Sequence, residues 1–330
     1  VARLIANSNS SKMPRLSLFR SLWGCCAHKP FSAAPGVEER IRMIKESGYE
    51  GIEASLDDLG RCRSERMETL NSLRTNNMQL ITGLYSSWRD YCGDNWNDLH
   101  TDVPTQLSRL ELELRELEEL DALDVLKHIN VHSGSDSWTE GQTREYFERA
   151  LRLGSSINAT ISHETHRGRP LANPFVCYRL CTEFVDLRLT LDASHWFLVC
   201  ERLVGDMGSD ETHEEEMLNL LVTRVDHIHA RIGTPESPQV ALLPSATSVN
   251  NKWCPEQGSA TKWEASAAAA HEKLWQKVWL HQILSNCGPI IATPEYGPAP
   301  YTPMFPGTGE PMSDVWNLTN AAAGRLRHLY

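Results

Sequence analysis

Four apolar segments in the second half of the chain each close on a residue that binds divalent metal: ISHE on Glu164, RLTLD on Asp192, VDHIH on His229 and IIATPE on Glu295. Three carboxylates and an imidazole make an O/O/N/O donor set. It suits Mn²⁺, Mg²⁺, Co²⁺ or Zn²⁺ and leaves coordination positions for a bidentate oxygen substrate, which is the layout of a catalytic rather than a structural metal. Other polar residues crowd such segment ends: His132 closes VLKHINVH, His163 and His166 stand on either side of Glu164, His195 lies three residues after Asp192, and His227 and Arg231 flank His229. Singly, each has a bland reading, because a strand-end acid is usually a cap or an ion-pair partner and a lone histidine is usually a hydrogen-bonded structural residue. Their recurrence at the same end of successive segments is what chance does not give.

Such distant residues meet only if the chain repeats a unit that returns to one face. Apolar runs of four to eight residues alternate with amphipathic stretches along the whole chain, the pattern of βα units around a parallel sheet. About eight strands are predicted: LSLFRSLW (16–23), YEGIEASL, MQLITGLYSSW, VLKHINVHSG, ATISHE, LRLTLDASH, VDHIHARIG and PIIATPEYG. The first helix opens at Gly36 with Gly48 at its C-terminal end, and the last, within SDVWNLTNAAAGRLRHLY, takes a Ser or Asp N-cap. Leu107, Leu110, Leu114, Leu117 and Leu120 recur at helical spacing among Glu and Arg, which predicts an outer helix with one inward face. The fold class is therefore α/β, a (β/α)8 TIM barrel. Its active site lies at the C-terminal ends of the strands. Residues 1–12 form an N-terminal extension and 13–330 a single barrel, interrupted after the seventh strand by a long Pro/Ser/Asn-rich loop at about 234–263, read as a lid over the catalytic face.

Composition narrows the partners. A formal net charge of -11 and the absence of a Lys/Arg run remove the phosphate attraction that nucleic-acid binding requires, so no nucleic-acid partner is expected. No apolar run approaches the ~20 residues of a membrane span. Nine cysteines without a CxxC pair read as reduced, packed thiols, and the cytoplasm is the expected compartment.

The motifs HETHRGR (163–169), LDASH (191–195) and DHIHARIG (226–233) resemble the xylose-isomerase-like superfamily, which includes ketose 3-epimerases, hydroxypyruvate isomerase, inosose dehydratase and the apurinic endonucleases. The resemblance implies that Glu164, Asp192, His229 and Glu295 bind one divalent metal, Mn²⁺ first among the candidates. It implies an enediolate mechanism on a sugar or sugar-derived keto compound, with Glu164 and Glu295 as the catalytic pair. His132, His195, Arg231, His166, Arg169 and Trp138 are the expected substrate-binding residues, and Trp23, Trp88, Trp196, Tyr296 and Tyr301 are further aromatics near strand ends. The chain departs from the ketose epimerases at Pro170, where they carry a second Glu, so a different substrate is expected. A metal-dependent lyase or dehydratase on a keto sugar or glycoside is the alternative, and a non-catalytic sugar-binding barrel a further one. The endonuclease branch needs more His ligands, one near strand three, and LYSSW offers none. The expected partners are a small carbohydrate and, for assembly, copies of the same chain as a dimer or tetramer.

Overall fold

The computed structural model describes residues 14–25, 28–34, 36–85, 101–205, 212–240, 262–286 and 288–330. Its eight strands run in sequence order around a closed parallel barrel: β1 (Leu16–Ser21), β2 (Gly51–Ser55), β3 (Gln79–Leu84), β4 (Leu126–Val131), β5 (Ile161–Glu164), β6 (Leu189–Leu191), β7 (Val225–His229) and β8 (Ile290–Thr293). The helices of eight residues or more are α1 (Val37–Glu46), α2 (Arg63–Thr75), α3 (Val103–Glu119), α4 (Glu140–Gly154), α5 (Pro174–Glu183), α6 (Ala193–Cys200), α7 (Thr212–Val222), α8 (Lys262–Leu284) and α9 (Val315–Leu329). No described helix is long and apolar enough to cross a membrane. The chain divides into two compact units, Ala33–Leu191 and Val1–Ser32 with Asp192–Tyr330.

In the unit Ala33–Leu191, α3 shows why these residues make an outer helix. Asp102 accepts from the Thr105 amide at its start, Pro104 occupies its first turn, and the predicted stripe Leu107, Leu110, Leu114 and Leu117 is buried while Leu112 opposite is 64% exposed. Burying four leucines is worth on the order of 6–12 kcal/mol before ordering costs, far more than the intrinsic preference of any one residue for helix. Strands β4 and β5 alternate. His128 and Asn130 point to the same side as Ser162 and Glu164, whereas His163 turns to the helix layer against Phe147 of α4. Thr139 and Gln142 close α4 with a reciprocal capping box, and Asn173 caps α5.

In the other unit, β8 pairs with β1 on one side and β7 on the other, with His229 in register with Thr293. The predicted caps hold: Gly36 precedes α1, and Asp314 accepts from the Asn317 amide at the start of α9. Several predicted boundaries move: the fourth, seventh and eighth strands, predicted to Gly134, Gly233 and Gly297, end at Val131, His229 and Thr293. The first strand ends at Ser21 instead of Trp23. The sixth strand, predicted through His195, stops at Leu191, because Asp192 accepts from the backbone of Ser194 and starts α6 there. The loop predicted as irregular from 234 to 263 begins as a closed hairpin: Val240 donates to the Ile232 carbonyl, Thr234 and Ser237 bridge, and by Lys262 the chain is already in α8. Residues 1–12, Trp88 and most of the loop read as a lid (241–261) lie outside the described residues.

Candidate metal centre

Glu164, the last residue of β5, is 1% exposed, and one of its carboxylate oxygens accepts from Asn130 Nδ2 at 2.7 Å and pairs with His132 Nε2 at 2.7 Å. Period-2 alternation does this, since Asn130 on β4 and His132 just past its end stand two residues apart beside Glu164. The His132 ring stacks on His166 with centroids 4.5 Å apart, and Tyr85 meets its edge at 4.5 Å. His166 Nδ1 donates to the Arg167 carbonyl at 2.7 Å, which in the neutral ring leaves Nε2 as the lone-pair nitrogen. His132, Glu164 and His166 together offer ligand atoms within 4.8 Å of one another.

The rest of HETHRGRP builds the loop around this cluster. Arg169, 1% exposed, donates to the Gly134 carbonyl at 2.6 Å, and Asp136 donates its amide to Gly168, which adopts a φ of 73° that favours glycine. The ring of Pro170 packs where a Cβ on Gly134 would sit, 3.1 Å away. Trp138 donates to the Thr101 carbonyl at 3.1 Å and leans on Tyr146. His163, facing the helices, bonds Ser133, and burial lowers its pKa to about 4, so it stays neutral.

In the unit that carries β7 and β8, Asp192, His229 and Glu295 converge, with ligand atoms within 4.8 Å of one another. Asp192 is fully buried. One oxygen accepts from the Ser194 amide at 2.9 Å and hydroxyl at 2.6 Å, and the other takes a hydrogen bond from Arg231. His229 Nδ1 lies 3.3 Å from Glu295 Oε2, and its strand neighbour His227 bonds Thr293 at 2.9 Å. Arg231 links the group: besides Asp192 it reaches Glu295 at 3.4 Å and donates to His195 Nε2 at 2.9 Å, with its guanidinium 4.9 Å from the Tyr301 ring centroid. Trp23 meets Tyr301 edge-on at 4.9 Å. Tyr296 is buried with its hydroxyl accepting from the Ile232 amide at 3.2 Å, and burial pushes the phenol pKa well above its ordinary value. Trp196 is 1% exposed.

The donor chemistry fits a divalent cation. Two carboxylates and an imidazole are gathered largely out of solvent, only Glu295 keeping 15% of its side chain exposed, and Arg231 offsets only one of the two negative charges. A buried charge without compensation costs several kcal/mol, so an added cation is favourable there. Each predicted ligand thus lies at or just past the C-terminal end of its strand, Glu164, Asp192 and His229 buried and Glu295 partly exposed, and three of the four stand together in one unit. Sequence reasoning missed Asn130 and Ser194, although both were within reach: Asn130 shares a strand face with His132, and Ser194 sits at the second position after a capping Asp.

No family model matches the sequence, and no curated protein does. Solved structures do. A D-tagatose 3-epimerase-like protein aligns with a TM-score of 0.54 at 12% identity, over 95% of this chain and 98% of its own. The D-allulose 3-epimerase from Methylomonas sp. gives 0.53 at 15%, over 96% and 98%. A probable 3-DHS dehydratase from Bacillus anthracis gives 0.50 at 14%, over 87% and 94%. These likenesses show the fold alone, a (β/α)8 barrel, in agreement with the architecture that the repeating strand and helix periods predict.

Proposed function

We propose that the protein is a divalent-metal-dependent isomerase or epimerase of a sugar or sugar-derived keto compound, acting through an enediolate. The observation that carries this is the convergence of Asp192 and His229, both buried, with Glu295, whose side chain is 15% exposed, their ligand atoms within 4.8 Å of one another at or just past the ends of β6, β7 and β8. Glu164 completes the proposed ligand set. When ionised, Glu164, Asp192 and Glu295 bear three negative charges against one positive charge on Arg231, and the difference is the charge of one Mn²⁺, Mg²⁺, Co²⁺ or Zn²⁺ ion, Mn²⁺ first.

A cation bound by these residues would polarise a carbonyl and its neighbouring hydroxyl and acidify the C–H bond between them. The remaining chemistry belongs to the chain. Glu164 and Glu295 are the pair that removes and returns the proton, Glu164 held in orientation by Asn130 and His132. His132, His166, His195 and Arg231 supply polar contacts for substrate oxygens. Arg169 and Trp138 belong to the same set through the loop they hold. Pro170, packed on Gly134, stands where the resemblance leads one to expect a second Glu, and this favours a substrate other than a simple ketose; β-elimination from the same enediolate is then the second reading.

The test is C–H exchange. Protein loaded with Mn²⁺ and incubated in D2O with a panel of keto sugars and 3-keto glycosides is expected to place deuterium on the carbon next to the carbonyl, and EDTA to abolish it. Loss of a β-substituent along with exchange selects the lyase reading. Absence of exchange across the panel in a protein that holds its metal contradicts both.

A further inference from the structure

Gln239 lies on the hairpin that follows β7, is 1% exposed, and spends its whole side-chain amide on the segment just past Glu295. Its Nε2 donates to the Gly297 carbonyl at 3.1 Å and to Thr302 Oγ1 at 3.0 Å, and its Oε1 accepts from the Gly297 amide at 2.8 Å. Thr302 in turn donates to the Gly297 carbonyl at 2.6 Å. Donors and acceptors match at every contact, so both polar groups of one peptide residue are gripped by a single side chain, as a paired strand would grip them.

The hairpin that carries Gln239 is itself fixed. Val240 closes on Ile232 at 2.9 Å, Thr234 and Ser237 bridge, and the Gly233 amide meets His271 Nε2 of α8 at 3.1 Å. A Cβ on Gly233 would come within 2.7 Å of Ser194, and one on Gly297 within 2.1 Å of the Trp23 ring, so both backbones lie close against these neighbours and leave no space for a side chain. Glu295 therefore sits between a strand and a clamp. β8 ends two residues before it, the Gln239 amide holds the residue two after it, and its carboxylate faces His229 at 3.3 Å and Arg231 at 3.4 Å.

We infer that Gln239 is a positioning residue that aims the Glu295 carboxylate and so sets the affinity of the cation site. The inference rests on the proposed reading of Glu295 as a metal ligand. Residues that orient a ligand typically change metal affinity about 10- to 100-fold when removed.

The experiment is titration of metal-free wild type, Gln239→Ala and Thr302→Val with Mn²⁺, reading free ion by electron paramagnetic resonance, alongside thermal melts of each metal-free protein. Gln239→Ala is expected to weaken Mn²⁺ binding about 10-fold or more, and Thr302→Val, which removes the hydroxyl from the same network, in the same direction by less. A Gln239→Ala protein that melts lower yet binds Mn²⁺ as wild type does overturns the positioning role and leaves the proposed function standing. Wild type that takes up no Mn²⁺ overturns both. Should Gln239→Ala fail to fold, an unchanged Mn²⁺ affinity in Thr302→Val overturns the inference.

Discussion

At the scale of residues, Arg231 ties three groups of the site together. It is 1% exposed and touches Asp192, His195 and Glu295. Removing one partner from a buried ion pair costs about 3–5 kcal/mol, because the other charge stays buried without compensation. Arg231→Met is therefore expected to lower the melting temperature of the metal-free protein sharply, and added Mn²⁺ to restore more stability to it than to wild type. Calorimetric scans with and without Mn²⁺ measure both effects. A metal-free Arg231→Met protein as stable as wild type would show that Asp192 and Glu295 do not rely on this cation. The residue types at this scale were legible in the sequence, since acids and histidines at strand ends announce themselves. Their partners were less so: which atom of Asp192 meets Ser194 and which meets Arg231 follows from the start of α6, and helix starts shift by a residue or two with small changes in local hydrogen bonding.

At the scale of elements, α8 is joined to the hairpin after β7 through a buried imidazole. His271 Nε2 lies 3.1 Å from both the amide nitrogen and the carbonyl oxygen of Gly233 and bonds one or the other according to its tautomer, between the rings of Phe197 and Trp275; burial, opposed by the bond to the Gly233 backbone and aided by the nearby Arg231 charge, lowers its pKa to about 3. In the unfolded chain it titrates near 6.5. Between these values the unfolded state binds a proton that the folded state does not, so the folded form has its full advantage above pH 6.5 and loses it as pH falls toward 3. The loss is on the order of a few kcal/mol at the acid end. His271→Gln, which keeps a polar group beside Gly233 and does not titrate, is expected to flatten the fall of the urea midpoint between pH 6.5 and 4. An unchanged slope would assign the acid sensitivity to other groups. The sequence offered little warning of this junction. Pro, Ser and Asn after β7 read as irregular loop, and the order of residues 232–240 comes from side chains far away in sequence, Gln239 on Gly297 and His271 on Gly233.

At the scale of the whole molecule, the barrel was legible because two periods repeat along the chain. Strands such as β5 and β7 alternate with stripes such as Leu107 to Leu117, and only closure of the sheet gives every strand two neighbours. Strand lengths were overestimated wherever a polar strand end passed straight into a helix, as at Asp192, since a capping Asp and a strand-end ligand look alike in sequence. Substrate choice was not legible, because it depends on loops whose conformation is set by contacts rather than by local residue type. The central claim is that Glu164, Asp192, His229 and Glu295 share one cation, and anomalous diffraction at the manganese edge from Mn²⁺-soaked crystals tests it most directly. The expected result is a single strong peak with one atom of each of the four residues roughly 2.0–2.4 Å away. A peak bound by other residues, or none at the strand ends at saturating Mn²⁺, would contradict it.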